Sequence, residues 1–253
     1  METLRWRTED RVGFLTLNRP DHYNAVDRTM LQELEEFWRE RRHDDGVGAI
    51  VLDGGAAKGF CAGLDMKTLG PEIFGLEPTA IYDAQRRLAR LLLAMRRAPQ
   101  PIVCAVHGSA AGLGFSFAMA SDVRVVAEDA RFSAAYINIG LGGADMASSY
   151  FLPRLIGLGR ASEFLLTGDW MSAADALALG FASRRVPRAA LLDTAVALAR
   201  TMTSKNPLGL RLTKEALNVS LDAGGLEACL ELEDRNQTLL ILAQRLRGEG
   251  PAR

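Results

Sequence analysis

Three short segments of this 253-residue chain bring together residue types that could do chemistry. The first is Lys58-Gly59-Phe60-Cys61-Ala62-Gly63-Leu64-Asp65-Met66-Lys67. Its Gly63 permits a tight turn with close backbone approach, and Asp65 can cap a helix starting there while leaving free amides at the helix N-terminus. The second is Ala105-Val106-His107-Gly108-Ser109-Ala110-Ala111-Gly112-Leu113-Gly114-Phe115-Ser116. Here a buried apolar strand runs into a helix whose start is almost wholly small residues, so nothing bulky blocks a ligand from the N–H groups. Free amides of both kinds suit an oxygen that carries or acquires negative charge. Each turn taken alone reads equally as ordinary strand-to-helix packing. The third segment, Ile139-Gly140-Leu141-Gly142-Gly143-Ala144-Asp145-Met146-Ala147-Ser148-Ser149-Tyr150, sets one carboxylate in a Gly-rich turn ahead of an apolar helix. Asp145 there can cap the amides of Ala147 or Ser148, or it can be an acid/base or nucleophile aimed at a ligand.

The elements that must position these segments follow from periodicity. Residues 12–17 alternate as a strand, broken by Asn18-Arg19-Pro20-Asp21. Asp27 is placed to N-cap a helix over 28–42, where Met30, Leu31, Leu34, Phe37 and Trp38 keep helical spacing. Short apolar runs at 47–52 and 102–106 read as buried strands, each ending in a Gly-rich turn, and 123–127 and 131–132 add two more. A helix is expected over 79–97, stopped by Pro99 and Pro101, and 70–78 are expected to be irregular because they are rich in Gly and Pro. From 161 onward strand signals nearly vanish apart from 182–186. Residues 172–179, 188–204, 207–219 and 225–247 read as helices. The expectation is one α/β domain, 1–195, with a helical C-terminal region, 196–253.

Taken together, Phe60-Cys61-Ala62-Gly63-Leu64-Asp65, the 105–114 stretch and Ala120-Ser121-Asp122 resemble the crotonase (enoyl-CoA hydratase/isomerase) family. The agreement runs along nearly the whole chain, through Leu17-Asn18-Arg19-Pro20, Asn24-Ala25, Phe132-Ser133, Leu152-Pro153-Arg154-Leu155-Ile156-Gly157, Leu166-Thr167-Gly168 and Ala173-Ala174-Asp175-Ala176 to Gly180. The resemblance implies a spiral of ββα turns with a C-terminal helical trimerisation region, giving a homotrimer or dimer of trimers. It implies an acyl-CoA thioester as substrate, whose oxygen sits between the N–H groups of Leu64 and Leu113. It also implies an adenine read by backbone near Ala25, Ala62 and Gly63, with Leu64, Asp65 and Gly112 among the positions that border the CoA. Lys67 and Arg19 are the nearest cations for the phosphates, although both could be solvated surface charges. The family's aromatic and basic segment over the adenine is eroded here after Arg235-Asn236-Gln237.

The chemistry departs from the family's usual pattern. Its typical hydratases carry two glutamates, and the corresponding positions here are Ser116 and Tyr136. That leaves Asp145 as the expected acid/base, with Tyr136 or Ser116 assisting. Subgroups such as dienoyl isomerases and an aryl-CoA dehalogenase use an aspartate in this turn. The dehalogenase's histidine belongs in the 79–97 helix, which has none, so dehalogenation is not expected. Hydration and double-bond isomerisation both remain open, as do a non-catalytic CoA-thioester binder and a thioester hydrolase. His107 is expected to be a structural hydrogen-bonder, and Met119, Met146 and Met171 core.

Composition excludes other classes. A net charge of −1 gives no electrostatic footprint for nucleic acid. Cys61, Cys104 and Cys229 are odd in number and far apart, which suggests no disulfide framework and a reduced, cytoplasmic setting. Three histidines and scattered cysteines offer no zinc cluster, and no cofactor is expected beyond the CoA carried by the substrate. The charged N-terminus has no signal-peptide core, and no apolar run is long enough to span a bilayer.

Overall fold

The computed structural model describes residues 1–247. Strands β1 (Leu4–Glu9) and β2 (Val12–Leu17) form a hairpin whose turn residues, Asp10 and Arg11, both have positive φ, as a two-residue turn matched to strand twist requires. Helix α1 (Arg28–Arg41) then starts on the Asp27 carboxylate, which accepts the Met30 amide at 2.8 Å. It leads to β3 (Ala49–Asp53). Two helices follow, α2 (Leu69–Phe74) and α3 (Pro78–Arg97). The 70–78 stretch is therefore not wholly irregular. Pro71 falls in the first turn of α2, where a missing N–H costs nothing, and Leu69 and Ile73 are buried beneath it.

Next come β4 (Ile102–Val106), β5 (Ser109–Ala111), α4 (Leu113–Ala120), β6 (Val123–Ala127) and β7 (Arg131–Ser133). The small residues 109–111, expected to open a helix, form a strand instead, and α4 begins only at Leu113. The chain continues through α5 (Ser148–Ile156), α6 (Leu158–Thr167), β8 (Met171–Ser172), α7 (Ala173–Ala178), β9 (Arg184–Val186), α8 (Leu191–Thr203), α9 (Pro207–Ser220) and α10 (Leu226–Leu246).

The large sheet has the order β1-β2-β3-β4-β6-β9, parallel except between β1 and β2. A smaller sheet runs β5-β7-β8 and is extended by a bridge from Cys61 to Ala110. Each turn of the chain thus visits the large sheet, then the small one, then a helix: β3, Cys61, α3; β4, β5, α4; β6, β7, α5. Alternation along the central strands feeds two cores. Ile50, Leu52, Ile102, Cys104 and Val106 face the main core with α1, α3 and α4. Val51, Val103, Ala105 and Val125 face the other way, under Leu191, Ala195 and Ala199 of α8. A division at 195 therefore runs through α8, an element that covers the sheet. Further along, α9 is docked by Lys214, buried at 4% exposure, whose Nζ lies 2.9 Å from Asp122 and 2.8 Å from the Gln100 carbonyl. Among the described residues no helix is long and apolar enough to cross a membrane.

Candidate active site

The first Gly-rich turn is zipped to the second by backbone. Phe60 N–H donates to the His107 carbonyl at 2.8 Å, Cys61 N–H to Ser109 O at 3.2 Å, and Ala111 N–H returns to Cys61 O at 3.0 Å. On its other side the loop pairs with Val26, whose N–H donates to Gly63 O at 2.7 Å while Asp65 N–H donates to Val26 O at 2.9 Å. In such a parallel bridge the intervening residue, Leu64, points its own N–H away from the partner. Leu113 opens α4, where the N–H has no intrahelical acceptor. Neither amide has an acceptor among the described residues.

Glycine makes this approach possible. At Gly63, φ is +92°, and a Cβ there would lie 2.8 Å from Ala111 O and 3.2 Å from Leu113 N. The Gly63–Leu64 peptide is therefore set against the Leu113 amide. Gly112 has φ 52° and ψ −123°, a conformation L side chains rarely adopt, and it turns β5 sharply into α4. Helix α4 is further fixed by Phe115 against Phe132 and Phe181, with ring centroids at 5.6 and 5.4 Å. At its far end the buried Arg124 guanidinium donates to the carbonyls of Ala118, Ser121 and Phe181, and burial lowers it to about 10.

Ser116, fully buried on the first turn of α4, lies with its Oγ 2.9 Å from the Tyr136 hydroxyl. The Tyr136 ring packs beside Gly112, 3.4 Å from where a Cβ would stand there. Burial raises the Tyr136 phenol well above its ordinary value, and the charge on Asp145 adds to that, against the opposing hydrogen bond from Ser116. The pair stays neutral.

Asp145 is half-buried, and its carboxylate is not the cap of α5. That position belongs to Ala147, in the left-handed region with φ 63°. Instead Asp145 Oδ1 accepts the Met146 amide at 2.7 Å. The turn is tied by Asp145 N–H to Ser148 Oγ at 3.1 Å and Ser148 N–H to Asp145 O at 2.9 Å. Met146 also has positive φ, 46°, so two consecutive non-glycine residues directly after Asp145 are held in an uncommon conformation. Its second oxygen, Oδ2, lies 3.5 Å from Gln85 Nε2 on α3. Gln85 went unnoticed in the sequence, yet a signal was there. It is a polar residue on the α3 stripe of Ile81, Leu88, Leu92 and Met95, which faces the core.

On the side expected to meet CoA, Ala62 and Lys67 are exposed and Ala25 half-buried. Asp65 is buried and takes the amides of Lys67 at 3.0 Å and Thr68 at 3.3 Å, so it ties the turn ahead of α2 rather than capping a helix as expected; the cap position of α2 belongs to Thr68. Arg19 is neither a solvated charge nor a free phosphate ligand. Its guanidinium is 12% exposed and lies between Asp65 at 3.0 Å and Asp27 at 3.2 Å, also donating to Ala25 O. Burial alone would raise the Asp65 carboxyl; Arg19 and the two amides outweigh it and hold it below the usual range. Asn24, fully buried, cross-links the same loop by donating to Gly54 O at 2.8 Å and Phe60 O at 2.9 Å. His107 holds Ala57 O at 2.9 Å from its buried Nε2, the structural role expected of it. Residues 248–253, the end of the segment expected near the adenine, lie outside the described residues.

The family model for enoyl-CoA hydratase/isomerase matches residues 7–253. A Mycobacterium bovis protein named "Probable enoyl-CoA hydratase echA12" is 39% identical over 91% of this chain and 82% of its own. The 1,2-epoxyphenylacetyl-CoA isomerase of Escherichia coli is 34% identical over 94% of this chain and 90% of its own. The crystal structure of an enoyl-CoA hydratase from Mycobacterium smegmatis superimposes with a TM-score of 0.88 at 29% identity, covering 100% of this chain and 99% of that one. Two amide-bearing turns, the ββα spiral and a match along nearly its whole length agree: this chain belongs to the enoyl-CoA hydratase/isomerase family and is an acyl-CoA enzyme of that type.

Proposed function

We propose that this enzyme isomerises an unsaturated acyl-CoA, moving one proton between two carbons through Asp145. The observation that carries this reading is the solitary carboxylate. At both positions where the family's hydratases keep glutamates there is instead a buried, mutually hydrogen-bonded Ser116–Tyr136 pair at 2.9 Å. A phenol held above its ordinary value does not take a proton from carbon at neutral pH. Hydratase and isomerase names both occur among the relatives, at 39% and 34% identity, the isomerase being named for an epoxide-bearing acyl-CoA, so the reading rests on the residues rather than on those names.

The reaction balances with one acid. The Asp145 carboxylate takes the proton from the carbon next to the thioester carbonyl, and the electron pair of that C–H bond moves into an enolate. The enolate oxygen lies between the N–H groups of Leu64 and Leu113, each typically worth about 3 kcal/mol to the transition state. Protonated Asp145 then returns the proton to the γ-carbon, and the double bond moves into conjugation. Tyr136 and Ser116 line the acyl side as neutral polar groups. On the CoA side, backbone at Ala25, Ala62 and Gly63 borders the nucleotide, and the exposed Lys67 is available to the phosphates. No further cofactor enters this chemistry.

The test uses trans-3-hexenoyl-CoA and crotonyl-CoA, followed by mass and absorbance. Isomerisation of the first leaves the mass unchanged, hydration of the second adds water, and hydrolysis releases free CoA. Asp145→Asn preserves the volume and an acceptor for the Met146 amide but cannot carry a proton. It should lower turnover by about 10²–10⁴-fold with thioester binding little changed. Near-normal turnover by the variant sinks the reading, and binding without turnover by the unmodified protein makes it a thioester binder.

A further inference from the structure

We infer that Gln85 is a positioning residue that confines the Asp145 proton to Oδ2 and serves both protonation states of the acid. The inference rests on the reading that Asp145 carries the proton. The two carboxylate oxygens have unlike partners. Oδ1 faces the Met146 N–H at 2.7 Å, in a turn pinned by Ser148 and by positive φ at Met146 and Ala147. A backbone N–H can only donate, so it favours a bare lone pair and opposes a proton on Oδ1. Oδ2 faces a side-chain amide instead, Gln85 Nε2 at 3.5 Å, a length of the kind that tightens when substrate closes a site.

A glutamine has what the Met146 amide lacks. Its terminal group carries a donor and an acceptor and turns about a broad, roughly two-fold torsion. Before the proton is taken, Nε2–H donates to the carboxylate. After the substrate C–H bond breaks and Oδ2 holds the proton, half a turn lets Oε1 accept from Oδ2–H. The acid then has a partner in both states, and a polar hydrogen without one is costly once a bound substrate excludes water. A leucine or methionine at 85 satisfies neither state, and a lysine serves only the charged one. Of the titratable groups around this acid, Tyr136 feels its charge and is hydrogen-bonded to Ser116. From α3, Asp83 and Arg86 flank Gln85 but are exposed, with Arg86 over the Tyr82 ring at 5.6 Å. From α5, Tyr150 donates to Asp222 at 3.0 Å.

Gln85→Met and Gln85→Glu separate this role from simple packing, with trans-3-hexenoyl-CoA as the probe. Methionine keeps the length and helix propensity but removes both hydrogen-bonding groups. It should lower kcat by about tenfold, the worth of one hydrogen bond to a charged group, with KM changed less than about twofold. The acid limb of kcat/KM should move to higher pH as the donor to the carboxylate is lost, and further in Gln85→Glu, where a like charge faces Asp145. Circular dichroism checks the fold of both. Unchanged kcat and pH limbs in both variants, or a fall in kcat with unmoved limbs, overturn the role of Gln85 while an inactive Asp145→Asn leaves the isomerase reading standing. An active Asp145→Asn overturns that reading instead.

Discussion

Gly114→Ala tests how closely the two amide-bearing turns must approach. A Cβ at Gly114 would stand 2.2 Å from the Cys61 carbonyl oxygen, 2.7 Å from the Cys61 Cβ and 2.9 Å from its carbonyl carbon. Non-bonded heavy atoms rest about 3.5 Å apart, so relief requires a separation of about 1 Å. Cys61 cannot yield cheaply. Its N–H and carbonyl are both in the ladder with β5, and its thiol, pushed up to about 12 by burial, donates to Asn24 O at 3.1 Å. The displacement therefore falls on α4 and carries the Leu113 amide away from Leu64. Overpacking of this kind costs about 1–3 kcal/mol of stability, a few degrees in Tm for a chain of this size. Catalysis should suffer more, because a misplacement of about 1 Å can cost about 10²-fold. Steady-state kinetics on trans-3-hexenoyl-CoA should show that loss mainly in kcat. Gly159→Ala, at an exposed helical site with nothing within 4 Å of the new methyl, is the control. Wild-type kcat in a folded Gly114→Ala enzyme would refute the reasoning, since the spacing of the two amides would then not govern the chemistry.

Two further outcomes are expected. Burial holds His107 below its ordinary value of 6.5, so as pH falls through that value the unfolded chain gains a proton that the folded chain refuses. Stability should decline until the folded site also protonates; His107→Gln keeps a donor for Ala57 O and should flatten that slope in urea melts, whereas an unchanged slope assigns it to other groups. Helix α10 has no buried residue, and Leu226 and Leu246 are 75% and 89% exposed. That exposure calls for association, and the family resemblance implies three chains or a multiple, the mass expected from light scattering at micromolar concentration; a monomer would refute closure through these helices.

Much of the fold was legible because its signals are local. The 28–42 helix could be read from its cap and its apolar spacing, and 102–106 and 123–127 from unbroken apolar runs. What escaped depends on partners distant in sequence. Ser109–Ala111 has helical composition and becomes a strand only because Cys61 and β7 lie on either side. The short α2 was hidden by Gly70 and Pro71, which usually mark loops, although Leu69 and Ile73 are buried under it. Arg19 reads from sequence as a phosphate-binding or solvated surface cation, and its two carboxylate partners lie 8 and 46 residues away, the nearer of them already claimed as a helix cap. Gln85 differs in kind. A lone glutamine on an apolar helical stripe can be seen in the sequence, but what it faces cannot.

The division of labour between backbone and side chains explains why the usual acids can be absent while the family likeness persists. The two turns are shaped by Gly63 and Gly114, where a Cβ would stand 2.8 and 2.2 Å from a backbone oxygen of the other turn, and by Gly112, whose φ of 52° L side chains rarely adopt. Their free N–H groups belong to Leu64 and Leu113, and an amide donor does not depend on which side chain follows it. The proton-bearing residue is under no such constraint. On the proposed function it needs only one carboxylate beside the acyl group, and three elements come together around Tyr136: the first turn of α4, whose Ser116 is hydrogen-bonded to it, the segment after β7 that carries it, and the turn before α5, whose Asp145 charge it feels. On that proposal, an acid at the third position instead of the first two leaves the amides untouched and moves the proton between different carbons. Gly114→Ala and Asp145→Asn should therefore fail differently: the first weakens stabilisation of any enolate, and the second halts proton movement while an acyl-CoA still binds.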